Sequence, residues 1–259
     1  MRIDRVPEGQ AMLMRTANQV ARQPARQFPI WNGTGNTIAG SLDLMGARMS
    51  YARNVEVYGE GEPAEYLYKV ISGAVRISKL LDDGRRQVTA FHLPGEIFGL
   101  ELGKEHRFSA EAITESSILV IKRSAVLALA DRDGEIARQL WTLTADALQR
   151  VQDHMLVLGC MNARERVANF LLQLAKRVSG GDELELPMSR QDIADYLGLT
   201  IETVSRTMTQ LENDAAIRLP TSRRIVLRNR AALGRLSGSI RRRFCLDPDH
   251  AFNAYSPTV

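Results

Sequence analysis

Short apolar runs separated by turn signals fill the chain from about residue 50 to 122. Val55–Tyr58 leads into Gly59-Glu60-Gly61, Tyr66–Ile71 into Ser72-Gly73, and Ala74–Leu80 into Asp82-Asp83-Gly84. Val88–Leu93 stops at Pro94-Gly95, and Phe108–Ile113 and Ser117–Lys122 follow. Asp-Gly between alternating segments is a strong hairpin signal. Strands recurring every eight to twelve residues or so predict a barrel or jelly roll. Such a body can enclose a small ligand or simply pack its own interior.

The period changes at Asp131. No proline occurs between Gly134 and Gly159, where Ile136, Leu140, Leu143, Ala147, Val151, Met155 and Leu158 are spaced by 4, 3, 4, 4, 4 and 3 residues. This predicts a long amphipathic helix with a wide apolar stripe. One small barrel is too short to cover it, so a second copy of the same helix is the natural cover. Packing along its own domain is the alternative. Arg164–Val178 predicts a further helix with Val167, Phe170, Leu171, Leu174 and Ala175 on one face, ended by Gly180-Gly181. Leu184 and Leu186 predict a short strand before Pro187.

The segment from Ser189 to Leu211 carries the most chemistry. Ser189 can cap a helix that buries Ile193, Ala194 and Leu197, and Gly198 permits a tight turn. Thr200 can cap a second helix with Val204, Met208 and Leu211 inward. Two short helices joined by a glycine turn form a helix-turn-helix. The outward set is Ile201, Glu202, Ser205, Arg206 and Thr209. Arginine can donate two hydrogen bonds to guanine, and glutamate can accept from cytosine. A carboxylate facing a polyanion is otherwise unfavourable, so Glu202 either touches a base or orients Arg206. Glu202, Ser205 and Arg206 are the base-reading candidates. Ser189, Arg190, Thr200, Ile201, Thr203 and Thr209 are candidates for surrounding DNA contacts. Ile217–Leu227 reads as two strands around Pro220-Thr221-Ser222, a wing that offers Arg218, Arg223 and Arg224 to phosphates.

Charge supports this reading. Residues 160–244 hold 15 Lys and Arg against 9 Asp and Glu, whereas the remainder of the 259-residue chain has a net charge of −2. A basic C-terminal third suits an acidic polymer, although a solvated surface has the same composition. The Arg241-Arg242-Arg243 run fits either. No run approaches the roughly 20 apolar residues of a membrane span. Pro7-Glu8-Gly9-Gln10 stands where a secretory signal would be apolar. Two cysteines, Cys160 and Cys245, cannot build a disulfide framework, so a cytoplasmic protein without a membrane partner is expected.

Several of these segments together resemble the CRP/FNR superfamily of transcription regulators, and its FixK branch most of all. They are Pro94-Gly-Glu-Ile-Phe-Gly-Leu, Phe108-Ser-Ala-Glu-Ala, Ser189-Arg-Gln-Asp-Ile-Ala-Asp-Tyr-Leu-Gly-Leu-Thr and Ile201-Glu-Thr-Val-Ser-Arg. The resemblance implies an α+β chain: a cyclic-nucleotide-binding-type β-roll, a long dimerisation helix and a winged helix-turn-helix. The expected layout is an extension over 1–45, the roll over 46–132, the dimer helix over 133–160, the DNA-binding domain over 161–236 and a tail over 237–259. The CRP-type reading helix carries Arg-Glu-Thr-Val-Gly-Arg. Glu202, Ser205 and Arg206 match the FNR and FixK pattern Glu-x-x-Ser-Arg instead, which implies a TTGAT-N4-ATCAA palindrome. Double-stranded DNA, a second copy of the chain and RNA polymerase are the implied partners. Ala215 stands at a turn position often held by glycine, which makes the local turn a point of departure.

The implied effector chemistry is incomplete. In cyclic-AMP-binding relatives a Gly-Glu pair holds the ribose, and an Arg-Ser-Ala segment neutralises the phosphate. Here the pair is Gly99-Leu100, and Arg107 is separated from Ser109-Ala110 by Phe108. A one-residue shift in a strand turns a side chain to the opposite face. The FNR iron–sulfur sensor needs four cysteines, mostly N-terminal, and none precedes Cys160. His92, His106 and His154 leave haem open as an alternative input, and nitric oxide or a cyclic nucleotide with it. Cys160 reads as a small buried hydrophobe or a redox switch. No Walker loop, Rossmann fingerprint, HExxH or nucleophile elbow occurs. The sequence therefore predicts a regulator rather than an enzyme, with no resident cofactor or metal.

Overall fold

A computed structural model describes residues 42–101, 103–178 and 181–238. The expected extension up to residue 41, the tail from 239 and the Arg241-Arg242-Arg243 run lie outside the described residues. The described residues form two compact units, one from residues 42–80 with Thr89–Leu140, the other from Leu81–Val88 with residues 141–238.

The first unit is built from antiparallel strands. They are β1 (Ala47–Tyr51), β2 (Glu56–Tyr58), β3 (Tyr66–Ser72), β4 (Val75–Leu80), β5 (Arg86–His92, whose residues up to Val88 belong to the second unit), β6 (Ile97–Phe98), β7 (Ser109–Ala112) and β8 (Ser116–Lys122), and helix α1 (Arg123–Ala130) follows. One sheet has the order β1-β8-β3-β6 and the other β2-β7-β4-β5. Both contribute to one core containing Tyr58, Tyr68, Val70, Val75, Ile77, Phe98, Ala110 and Ile118. Alternation accounts for part of it: Val75 and Ile77 of β4 are buried with the half-buried Arg76 between them, while Ala74 and Ser78 on either side are buried as well. Gly73 turns β3 into β4 with φ of 86°, and a Cβ there would lie 2.2 Å from Ser116 Oγ, so only glycine fits. At the Asp82-Asp83-Gly84 turn the Gly84 N–H donates to Leu81 O at 2.9 Å.

Helix α2 (Gly134–Cys160) runs 27 residues, and the division between units falls within it. The predicted stripe is split by packing. Ile136 is buried against its own chain, Leu140, Leu143, Ala147 and Leu158 are half-buried, and Val151 and Met155 are exposed. Ile136 is thus corrected from seam to core. Trp141 and Leu148, absent from the predicted stripe, are 75% and 58% exposed.

The second unit continues with α3 (Ala163–Arg177), β9 (Glu183–Glu185), α4 (Arg190–Leu197), α5 (Ile201–Asn213), β10 (Ile217–Arg218), β11 (Arg224–Leu227) and α6 (Arg230–Ser237). Asn162 and Glu165 close a capping box at the start of α3, whose buried face is the predicted one with Ala168 and Glu165 added. The strands form a sheet in the order β10-β11-β9. Beyond α5 the chain turns through Ala215 with φ of 54°, so the glycine-type turn is kept by an alanine.

Candidate nucleic-acid interface

Each helix of the pair is started by its own side-chain cap. The Asp192 N–H donates to Ser189 Oγ at 3.1 Å, and the Ser189 N–H returns to Asp192 Oδ2 at 2.9 Å. The Ser189 hydroxyl also donates to Asp192 Oδ2 at 2.7 Å, which ties this candidate contact into the cap. Gly198 ends α4 at φ 61° and ψ 42°, a left-handed conformation that costs other residues about 1–2 kcal/mol. Two residues later Thr200 accepts the Thr203 N–H at 3.2 Å and starts α5.

Helix α5 buries Val204, Thr207, Met208 and Leu211. Its opposite face exposes Ile201, Glu202, Ser205, Arg206 and Thr209, with Thr203 half-buried at the edge. Glu202, Ser205 and Arg206 therefore share the first two turns of one open face. The helix start holds the Glu202 carboxyl below the usual range, first through its own backbone N–H and then through the Thr200 hydroxyl, with Arg206 adding a smaller pull. Thr209 donates back to Ser205 O at 3.2 Å, which engages its hydroxyl within the helix.

The wing follows from a Thr turn. Thr221 Oγ1 accepts from the N–H groups of Arg223 at 3.3 Å and Arg224 at 3.0 Å. Antiparallel pairing sets Arg224 against Glu185, and its guanidinium meets Glu183. Arg224 is consequently not a free cation, whereas Arg218 is exposed and Arg223 half-buried. Arg190 is half-buried, its Nη1 has no partner among the described residues, and burial lowers its pKa.

Two arginines outside the sequence-based set organise this unit. Arg86 donates to Asp192 Oδ1 at 2.7 Å and Asp195 Oδ2 at 2.8 Å, which neutralises two carboxylates of α4. Arg166 donates to four backbone carbonyls. No local pattern marks either residue, because their partners lie 31 to 109 residues away or are main-chain atoms.

In the first unit stand the segments that correspond to effector contacts in cyclic-AMP-binding relatives. Glu96 accepts the Leu93 N–H at 3.1 Å and closes its own turn. Arg107 is exposed, and Phe108 packs against the core. The interior holds a row of rings. His106 stacks on Tyr58 with centroids 3.6 Å apart, and Tyr58–Tyr68, Tyr68–Phe98 and Phe98–His92 each stand at 5.1 Å.

Known proteins share this arrangement. A model of the Crp-like helix-turn-helix domain matches residues 165–236, and one of the cyclic nucleotide-binding domain matches residues 48–133. The nitrogen fixation regulation protein FixK of Azorhizobium caulinodans is 53% identical over 197 residues, 74% of this chain and 79% of that protein. Its namesake from Rhizobium meliloti is 46% identical over 196 residues, 75% of this chain and 90% of its own. The solved structure of FixK2 from Bradyrhizobium japonicum superposes with a TM-score of 0.72 at 52% identity, covering 74% of this chain and 97% of that one. With a Crp-like reading helix, a roll of the cyclic-nucleotide-binding type and these relatives, the chain belongs to the FixK-like branch of the CRP/FNR family of transcription regulators.

Proposed function

We propose that this regulator binds a TTGAT-N4-ATCAA-like palindrome as a homodimer, with one α5 helix in each of two successive major grooves. The observation that carries this is the open face of Glu202, Ser205 and Arg206 at the capped start of α5. Residues near the N-terminus of a recognition helix are those that reach base edges. Arg206 supplies a bidentate donor for guanine, Glu202 an acceptor for cytosine, and Ser205 a short adaptable hydroxyl. Arg218 and Arg223 contact phosphates, and Arg190 and Thr200 fix the helix ends against the backbone. RNA polymerase is the further partner expected of an activator.

The homodimer forms along α2. Trp141, Leu148 and Met155 recur every seven residues, and Val151 falls three after Leu148, a coiled-coil seam left exposed on the single chain. Large apolar residues at this exposure on a 27-residue helix are covered by the same face of a second copy.

The roll works without a cyclic nucleotide. Its interior is occupied by the His106–Tyr58–Tyr68–Phe98–His92 row, Leu100 supplies no ribose acceptor, and Phe108, packed against the core, separates Arg107 from Ser109-Ala110. A nucleotide phosphate without a cation is strongly disfavoured in such a site.

The test is fluorescence anisotropy of the purified protein on the labelled palindrome and on a copy with its guanines replaced, at two salt concentrations. The palindrome should bind about 100-fold or more tightly. Equal affinity for the two duplexes would overturn sequence-specific readout.

A further inference from the structure

We propose that Arg166 is a positioning residue that sets the half-site spacing the protein accepts, by fastening the end of α2 to the end of α4. The inference rests on the dimeric DNA reading above and adds what fixes the distance between the two reading helices.

Arg166 lies in the first turns of α3 and reaches both ways. Its Nη2 donates to Leu158 O at 2.7 Å and its Nε to Met161 O at 2.9 Å. Its Nη1 donates to Leu197 O at 2.8 Å, with Gly198 O at 3.5 Å. Leu158 is in the last turn of α2, and Met161 directly follows that helix. Leu197 ends α4, and Gly198 is its cap. The last carbonyls of a helix lack intrahelical donors and carry the negative end of its dipole. One planar guanidinium therefore satisfies two helix ends at once, which a point-charge ammonium cannot do.

The neighbouring contacts tighten the same joint. A Cβ at Gly198 would stand 3.6 Å from both Arg166 Nη1 and Leu158 Cδ2. One turn earlier on α2, the His154 ring stacks on Tyr196 of α4 with centroids 4.0 Å apart and planes 15° apart. Helix α5 follows α4 through only Gly198, Leu199 and Thr200 and packs on it. Fixing α4 against α2 thus fixes α5 as well.

In a dimer joined along α2, this junction dictates the separation and phase of the two α5 helices. Each added base pair moves a half-site by about 3.4 Å and turns it by about 35°. A stiff junction rejects such a shift, and a loosened one follows it.

The experiment measures binding of the full chain to palindromes with spacers N3, N4 and N5, and to a single TTGAT half-site. Wild type should prefer N4 by about tenfold or more. Arg166→Met should reduce that ratio to about threefold or less, while binding the single half-site within about twofold of wild type. Arg166→Lys keeps the charge and most of the stem, guards against misfolding of the Met variant, and should flatten the ratio in the same direction. A folded variant that retains the full N4 preference, even with weaker affinity throughout, overturns the positioning role. A wild type that discriminates among no duplexes overturns the DNA reading and this inference with it.

Discussion

His106 lies flat against Tyr58, with ring centroids 3.6 Å apart and planes 12° apart. The imidazole has no side-chain exposure and stands at one end of the aromatic row inside the roll. Burial lowers its pKa below the ordinary imidazole value, against the opposing pull of the Glu101 carboxylate 3.4 Å from Nδ1. The stacking closes this end of the aromatic row with a group that titrates.

Because the folded His106 resists protonation, its stabilising contribution is present above the ordinary value near 6.5 and is lost as pH falls through the folded value. His154 is shifted the same way by burial and adds to the effect. Unfolding free energy from urea titrations should therefore drop between about pH 7 and 5, by at most about 1.4 kcal/mol per pH unit for each proton. His106→Phe keeps the stack on Tyr58 and should flatten this slope; an unchanged slope would assign the protons elsewhere.

Adding cyclic AMP or cyclic GMP to millimolar concentration should leave affinity for the palindrome unchanged. Isothermal calorimetry should show no heat of binding. A nucleotide-dependent rise in DNA affinity would mean that the aromatic row parts to admit a ligand.

Leu148→Glu combined with Val151→Glu places like charges along the exposed stripe of α2. Sedimentation velocity should show a dimer for wild type and a monomer for this variant. Affinity for the palindrome should fall with it to that of a single half-site.

Arg206→Ala should lose about 1–3 kcal/mol per half-site and relax discrimination at the guanine. Arg223→Ala should weaken all duplexes alike and lower the salt slope by about one unit. Arg224→Ala should change that slope less, since Glu183 already neutralises it.

Ala215 is exposed and adopts φ of 54°, where a Cβ is strained. Ala215→Gly relieves that strain and should stabilise the DNA-binding unit by about 1 kcal/mol, less the extra freedom glycine has when unfolded. Thermal melting that shows a loss of stability would place the strain elsewhere.

Much of what is governed by neighbours within a turn or two was legible in the residues themselves, although the Asn162–Glu165 capping box was not predicted. The buried face of α3, the caps at Ser189 and Thr200, the Gly198 turn and the open set Glu202, Ser205 and Arg206 follow from periodicity and from turn and cap chemistry. The hairpin at Asp82-Asp83-Gly84 is similarly local. Strand β1 was not legible, because Ala47–Tyr51 is weakly apolar and exists by pairing with β8, some 70 residues on. Strand β6 is two residues defined by β3, and the apolar run of α1 has no turn signal to separate it from β8. Tertiary structure alone decided which apolar residues of α2 are covered, taking Ile136 into the core and leaving Trp141 and Leu148 open. It also paired Arg224 with Glu183 and brought Arg166 to the carbonyls of two helices. Hydrophobic period specifies that a face is to be buried, whereas its partner is set by contacts between segments distant in the chain, which no local pattern encodes.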